Sequence, residues 1–199
     1  MTEVEKMLAG ELYDYSDPES LELNFKAHER LERLNGTPYR DRKAYREALR
    51  ELIPGVPDSA FLIAPFFCDF GFRIRLGEGV VINYNCTFLD GGGITIGDHT
   101  LIGPNCQLYT PQHPIDHIER RKPVERALPI EIGEDCWLGG GVIVCPGVRI
   151  GARSIIAAGS VVVHDIPEDS LAAGNPGVLP VSAPAGPPDR PSGRDRGFR

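Results

Sequence analysis

The chain has 199 residues, 41% hydrophobic and 25% charged, with 23 glycines, 18 prolines and a formal net charge of −7. That balance provides for a buried core, excludes a wholly disordered chain and sets nucleic acid aside as a default partner. No apolar run approaches the ~20 residues of a membrane span, residues 1–10 hold Glu3, Glu5 and Lys6 with no apolar signal region, and Cys68, Cys86, Cys106, Cys136 and Cys145 contain no C-x-x-C pair, so the expectation is a cytoplasmic protein without a membrane partner, disulfide framework or zinc ribbon.

Residues 1–55 predict a helical segment. Asp17 before Pro18 has the form of an N-cap with proline in the first turn. Leu21, Phe25, Leu31 and Leu34 then fall on roughly one face, and Gly36 with Pro38 ends that stretch. A further helix is predicted over residues 41–52, with Tyr45, Ala48, Leu49 and Leu52 apolar and Pro54-Gly55 as the stop.

From Phe61 the helical period gives way to Val, Ile and Gly. A step of six from Ile96 meets Ile102 and Leu108, and from Ile132 it meets Leu138, Val144, Ile150, Ile156 and Val162. Gly97, Gly103, Gly133, Gly139 and Gly151 directly follow five of these. Leu76, Ile82 and Phe88 keep the same step, offset by two residues that Asp90-Gly91-Gly92-Gly93 absorbs. A six-residue step is a short strand plus a tight turn, and three such units carry the chain once around a triangular prism. The aliphatic residue points inward, and the glycine after it supplies the turn's unusual backbone angles. Thr100, Cys106, Val142, Ser154 and Ser160 stack in the remaining interior. Neighbouring coils pair as parallel strands, about four or five coils in all. The fold class is mainly β: a left-handed parallel β-helix over residues 56–179, its hand being that of the hexapeptide type and an exception to the usual crossover rule. A β-sandwich would alternate with period two and lose the six-residue phase.

Between Leu108 and Ile132 the inward slots hold Pro114, Arg120 and Arg126, so residues 110–128 leave the prism as a long loop, a place where function concentrates. Residues 180–199, with five prolines and four arginines, read as a disordered tail.

The hexapeptide run, the start Glu5-Lys6-Met7-Leu8-Ala9-Gly10-Glu11-Leu12-Tyr13, the segment Asn83-Tyr84-Asn85, the loop Tyr109-Thr110-Pro111-Gln112-His113-Pro114 and the end Ala172-Ala173-Gly174-Asn175-Pro176 resemble the maltose, galactoside and nodulation-factor O-acetyltransferases over residues 3–178. The resemblance implies a homotrimer with active sites between subunits, moving acetyl from acetyl-CoA to a hydroxyl of a sugar or similar polyol. No metal is expected, since that chemistry needs a base and a bound thioester. His113 is the candidate base: its ordinary pKa lies near neutrality, and Pro111 and Pro114 restrict its backbone. Alone, a loop histidine reads as a solvated residue; the resemblance of the surrounding motif implies that it is the base. Asn83 is implied to orient His113 or bind a sugar hydroxyl, although by itself it reads as a turn asparagine. Asp69 and Asp17 match sugar-binding positions, Asp17 also being a helix cap, and Asp90 either borders the pocket or makes a turn. On the donor side Gly140 and Ala158 match positions against the pantetheine arm, with Trp137 close by. His164 and Val178 stand where the family commonly has Lys and Arg for the CoA phosphates, which predicts weaker donor binding. His28 and His99 read as surface residues, and His117 as either a substrate contact or a plain loop residue. Two alternatives are a catalytically weak trimeric scaffold that has lost donor binding, and a zinc hydratase of the γ-carbonic-anhydrase type using His99, His113 and His117.

Overall fold

The computed structural model describes residues 1–177; the expected tail at 180–199 and Val178 lie outside the described residues. Three helices, α1 (Glu3–Leu8), α2 (Pro18–Gly36) and α3 (Arg42–Leu52), precede a β-helix with three faces. The first face stacks Ile74–Leu76, Ile94–Ile96, Ile130–Ile132 and Arg149–Ile150. The second stacks Phe61–Leu62, Val81–Ile82, Leu101–Ile102, Trp137–Leu138, Ile155–Ile156 and Leu171–Ala172. The third stacks Phe66–Cys68, Cys86–Leu89, Gln107–Tyr109, Ile143–Val144 and Val161–Val162. All these pairings are parallel, for example Ile82 with Ile102 and Leu138 with Ile156. Six strands on the second face exceed the four or five coils expected. The added ones are Phe61–Leu62 and Leu171–Ala172, which fall outside the six-residue phase from which the coils were counted.

The interior is a stack of inward side chains. Ile82, Leu108, Leu138, Val144, Ile156 and Val162 are completely buried, as are the small residues Thr100, Cys106, Val142, Ser154 and Ser160 between them. Thr100 and Ser154 satisfy their hydroxyls on backbone: Thr100 Oγ1 donates to the Gly133 carbonyl and Ser154 Oγ to the Pro167 carbonyl.

The repeat glycines serve a different purpose from the one expected. Gly97, Gly103, Gly133, Gly139 and Gly151 do not have positive φ. The left-handed positions fall two residues later, at His99, Asn105, Asp135, Gly141 and Arg153. What excludes a side chain at the glycines is the coil above: a Cβ on Gly151 would sit 2.3 Å from the Glu168 nitrogen, and one on Gly133 2.5 Å from the Ala152 nitrogen. We therefore expect Gly151→Ala to destabilise the fold by about 1–3 kcal/mol, as overpacking does. Urea denaturation checks this, and an unchanged midpoint would contradict it.

The first coil is closed from below by helix side chains, which manage an edge that would otherwise be open to aggregation. Asn35 donates from Nδ2 to the Phe66 carbonyl and accepts from the Phe66 N–H, standing in for a neighbouring strand. Tyr45 Oη donates to the Leu62 carbonyl at 3.1 Å and accepts from the Ala64 N–H at 2.7 Å. On α3 the buried face is the predicted one, Tyr45, Ala48, Leu49 and Leu52. On α2 it is Ser20, Ala27, Leu31 and Leu34; Leu21 and Phe25 are exposed, because the helix rolls its small residues onto the neighbouring elements. Residues 10–17 are not helical: Tyr13–Asp14 forms a strand on Val124–Glu125.

Candidate active site

Register places the site. From Leu62 to Ile82 and on to Ile102 each coil advances 20 residues, against 18 from Leu138 to Ile156. The added residues of the early coils bulge at one corner, between the third and first faces. Asp69 and Phe70 lie there in the first coil, Asp90 to Gly93 in the second, and the long loop leaves from the third. The loop is a hairpin, not an irregular excursion: Pro111–Gln112 pairs antiparallel with Arg126–Ala127. Val124–Glu125 in turn pairs with Tyr13–Asp14, which pins the loop to the N-terminal segment.

A cavity of about 400 Å³ opens at this corner. Asp69, Phe70 and Leu89 contribute from the coils, Pro111, His113 and Glu125 from the hairpin, Tyr13 and Tyr15 from the N-terminal strand, and Ser20, Leu21 and Asn24 from α2. His113 follows the first hairpin strand and is half exposed, with the Tyr15 ring edge-on at 5.9 Å. Its Nδ1 lies 3.4 Å from the Val124 carbonyl oxygen and its Nε2 3.7 Å from Glu125 Oε2. Both neighbours can only accept, and only the Val124 carbonyl is within hydrogen-bond reach, so the tautomer that suits this geometry carries the proton on Nδ1 and leaves the lone pair on Nε2. Glu125 is mostly buried, and its other oxygen accepts from the Tyr13 hydroxyl. Burial and the Glu125 carboxylate push the Tyr13 pKa well above its usual value, so Tyr13 remains a donor.

Asp90 is fully buried and does not line the cavity, so of its two readings the turn role is the one that its surroundings match. Its Oδ1 accepts from the Asp69 and Phe70 N–H groups and its Oδ2 from that of Arg73, which ties the two stacked corners together. Burial raises its pKa to about 6 against these donors. Asp69 does line the cavity, and no donor among the described residues reaches its carboxylate; burial, then the Asp90 and Glu125 charges, raise its pKa to about 7. The folded state thus holds protons that the unfolded chain releases near 3.8. These two groups therefore stabilise most at low pH, and that contribution is lost as the pH rises through about 6 and about 7. Asp69→Asn should flatten the fall in Tm across this window. A profile as steep as that of the unsubstituted chain would contradict the assignment.

A second concavity, about 540 Å³, runs along the corner between the second and third faces. Asn83, Gly103, Trp137, Gly140 and Ala158 border it, so the structure groups Asn83 with the expected donor residues rather than with His113. Asn83 is not the left-handed turn residue; that position is Asn85, with φ 62°. A Cβ on Gly140 would come within 3.3 Å of the Pro104 carbonyl oxygen, and Trp137 is 53% exposed on the groove wall. His164 is not on this groove. It is exposed at the corner after Val161–Val162, above the loop's corner, where the next residue, Asp165, accepts from the Arg149 N–H. Asp17 caps α2, accepting from the Glu19 and Ser20 N–H groups, and does not line the cavity. His28, His99 and His117 are exposed. Among the described residues no three His, Cys, Asp or Glu side chains of one chain gather about a metal position, so the trio required by a zinc hydratase is not assembled there. No described helix is long and apolar enough to cross a membrane.

Sequence reasoning missed Tyr13, Tyr15, Ser20, Asn24 and Glu125 as cavity residues. The alternation of Tyr13-Asp14-Tyr15 was a strand signal inside a segment read as helix. Glu125 carried no local signal, since its partner Tyr13 is 112 residues away.

Comparison with known proteins gives a consistent result. Residues 6–57 match the maltose acetyltransferase hexapeptide capping motif, and residues 129–164 match the bacterial transferase hexapeptide, six repeats. The chain is 44% identical over 172 residues to nodulation protein L of Rhizobium leguminosarum bv. viciae, covering 86% of this chain and 90% of that one. A maltose O-acetyltransferase from Clostridium difficile 630 superposes with a TM-score of 0.88 at 38% identity, over 90% of this chain and 96% of that one. A hexapeptide-repeat acetyltransferase from Vibrio cholerae O1 biovar eltor, solved with acetyl coenzyme A, superposes at 0.81 with 40% identity, over 92% and 98%.

Proposed function

Because the chain belongs to the hexapeptide-repeat acetyltransferases of the maltose acetyltransferase type, we propose that it transfers acetyl from acetyl-CoA to a hydroxyl of a sugar or similar polyol, with His113 as general base. The observation that carries this is the His113 ring, which lines one cavity with Ser20, Asn24 and Asp69 and turns its Nδ1 to the Val124 carbonyl and its Nε2 to Glu125. Acetyl-CoA supplies the acetyl group as a thioester. The groove fits its thin pantetheine arm, because glycines and Ala158 leave backbone accessible where larger side chains would fill the space. His113 Nε2 takes the acceptor hydroxyl's proton as that oxygen bonds to the thioester carbonyl carbon. Glu125 then faces the imidazolium and steadies it. The C–S bond breaks, and the proton passes from Nε2 to the leaving sulfur.

Within one chain the His113 cavity and the Asn83 groove occupy different corners of the prism. We propose a homotrimer in which the loop of one subunit meets the groove of the next. An apolar ladder supports self-association: on the second face Phe61, Val81, Leu101, Trp137, Ile155 and Leu171 align outward in register. The corresponding line on the first face is Arg75, Thr95, Glu131 and Arg149. Leu101, Trp137 and Ile155 are exposed at its centre, and Phe61, Val81 and Leu171 are half-buried toward its ends; an exposed apolar patch of this kind marks an interaction surface, and a closed ring of identical contacts covers it. Light scattering at micromolar concentration should give three times the chain mass; a monomer mass would overturn the assembly. Incubation with acetyl-CoA and a panel of polyols should release free thiol only when an accepted polyol is present. No acceptor-dependent release with any polyol would overturn the transferase reading.

A further inference from the structure

Two groups compete for one carboxylate. Glu125 stands opposite Tyr13 in the antiparallel pairing of Tyr13–Asp14 with Val124–Glu125, and the Tyr13 hydroxyl donates to its Oε1. Its other oxygen, Oε2, is 3.7 Å from His113 Nε2, beyond hydrogen-bond reach. Among the described residues no other side-chain donor approaches either oxygen. A mostly buried carboxylate this near an imidazole is drawn to close on it as an ion pair, at ~2.8 Å. That contact would keep a proton on Nε2, the atom that must be empty in order to accept one. The group that holds Glu125 back is itself anchored. Tyr13 is 3% exposed, and its ring packs in a small cluster with Met7, Phe70 and Ala127. Burial, then the bond to Glu125, keeps its hydroxyl protonated and so a lasting donor.

We propose that Tyr13 is a positioning residue for the base: its hydroxyl restrains Glu125 at a distance from which the carboxylate favours the imidazolium formed during reaction without holding one beforehand. The inference rests on the transferase reading above and deepens it. In this role Tyr13 acts through Glu125 and needs no contact with the reacting atoms. With the restraint in place, Nε2 starts with its lone pair, takes the acceptor's proton and passes it to the leaving sulfur, while the Tyr13 proton stays where it is. Without the hydroxyl, Glu125 is free to close on the ring. Nε2 then takes a proton from solvent, and that proton must leave before turnover begins. The charged and titratable groups facing His113 are Glu119, Glu125 and Arg126 from the loop, Tyr13 and Tyr15 from the N-terminal segment, and Asp69 from the first coil; α2 presents only Ser20, Leu21 and Asn24. Asp69, raised to about 7, changes charge in the same window. It is common to every chain compared below, so differences between chains report Glu125.

The test follows the His113 Cε1 proton by NMR as the pH of the full-length protein is varied, with His113→Ala assigning the resonance. It is repeated with Tyr13→Phe, with Glu125→Gln and with both together. Tyr13→Phe should move the titration midpoint to higher pH by about half a unit or more, the effect of a carboxylate closing on a half-exposed ring. Glu125→Gln should move it to lower pH, and the double variant should follow Glu125→Gln, because no carboxylate remains to be restrained. The acid limb of kcat/KM should move in the same directions, so that Tyr13→Phe loses activity near neutral pH and regains it in alkali. A merely structural role for Tyr13 would lower kcat/KM at every pH and leave the limb in place. An unmoved or lowered midpoint in Tyr13→Phe, or a double variant still displaced upward, overturns the restraint. If Tyr13→Phe does not fold, the unsubstituted chain decides: the Tyr13 hydroxyl proton should give a downfield resonance that persists as His113 titrates, and its loss on protonation of the ring would mean that Glu125 swings unrestrained. Displaced titrations without acetyl transfer to any acceptor would count against the transferase reading and leave the restraint standing.

Discussion

His113→Ala should lower kcat/KM by about 10²–10⁴-fold, the usual contribution of a positioned general base, while leaving the fold and the assembly unchanged. The ring is half exposed, and its contacts are a long approach to the Val124 carbonyl, the Glu125 carboxylate at 3.7 Å and the edge-on Tyr15 ring. Nothing in the prism depends on it. Acceptor-dependent thiol release measures the loss, with circular dichroism and light scattering as controls. Activity within threefold of the unsubstituted chain, a tolerance set well inside the roughly hundredfold minimum, would remove His113 from the role of base.

The second large effect is expected on the donor side. Ala158 is exposed and borders the groove one coil on from Gly140, at the same corner. Ala158→Phe places a ring in that space without entering the buried core, so it should raise the KM for acetyl-CoA by about tenfold or more, equivalent to losing at least ~1.4 kcal/mol of binding. An unchanged donor KM would mean that the pantetheine arm runs elsewhere. Such a result would leave His113 untouched as base and displace only the groove.

The coil architecture was legible because one short period determines it. A strand and turn of fixed length must return an aliphatic residue to the interior at every step, and Ile132, Leu138, Val144, Ile150 and Ile156 record this directly. The function of the glycines was less legible. The pattern marks where a side chain is forbidden but not by what, and the obstacle at Gly151 is the backbone of Glu168 in the next coil, not a torsional demand. The α2 face was misjudged at Leu21 and Phe25 for a related reason. Apolar residues count in a periodicity wherever they point, and the buried face of the helix holds Ser20 and Ala27 instead. In the site, His113 and Asp69 could be named from local motifs. Glu125, Tyr13 and Ser20 could not, because they reach the cavity through an antiparallel pairing between the chain's start and the loop, and through the docking of α2. Asp90 shows the converse. A carboxylate in a turn next to the site read equally as a pocket residue or a turn residue, and its oxygens are committed to three backbone N–H groups.

The shared active site is the central claim, and mixing two impaired chains tests it most directly, assayed at acetyl-CoA well below the unsubstituted KM so that an Ala158→Phe site contributes about a tenth or less. His113→Ala chains retain a working groove, and Ala158→Phe chains retain a working base. If each site joins the loop of one subunit to the groove of the next, every mixed trimer regains one complete site. Random assembly of equal amounts should then recover about a quarter of the unsubstituted activity by the statistics of a closed threefold ring. The measurement is acceptor-dependent thiol release after the two chains are unfolded together and refolded, beside each variant treated alone. Recovery near that level is the predicted result. A mixture no more active than the separate variants, with mixed trimers demonstrated by mass, would contradict the account.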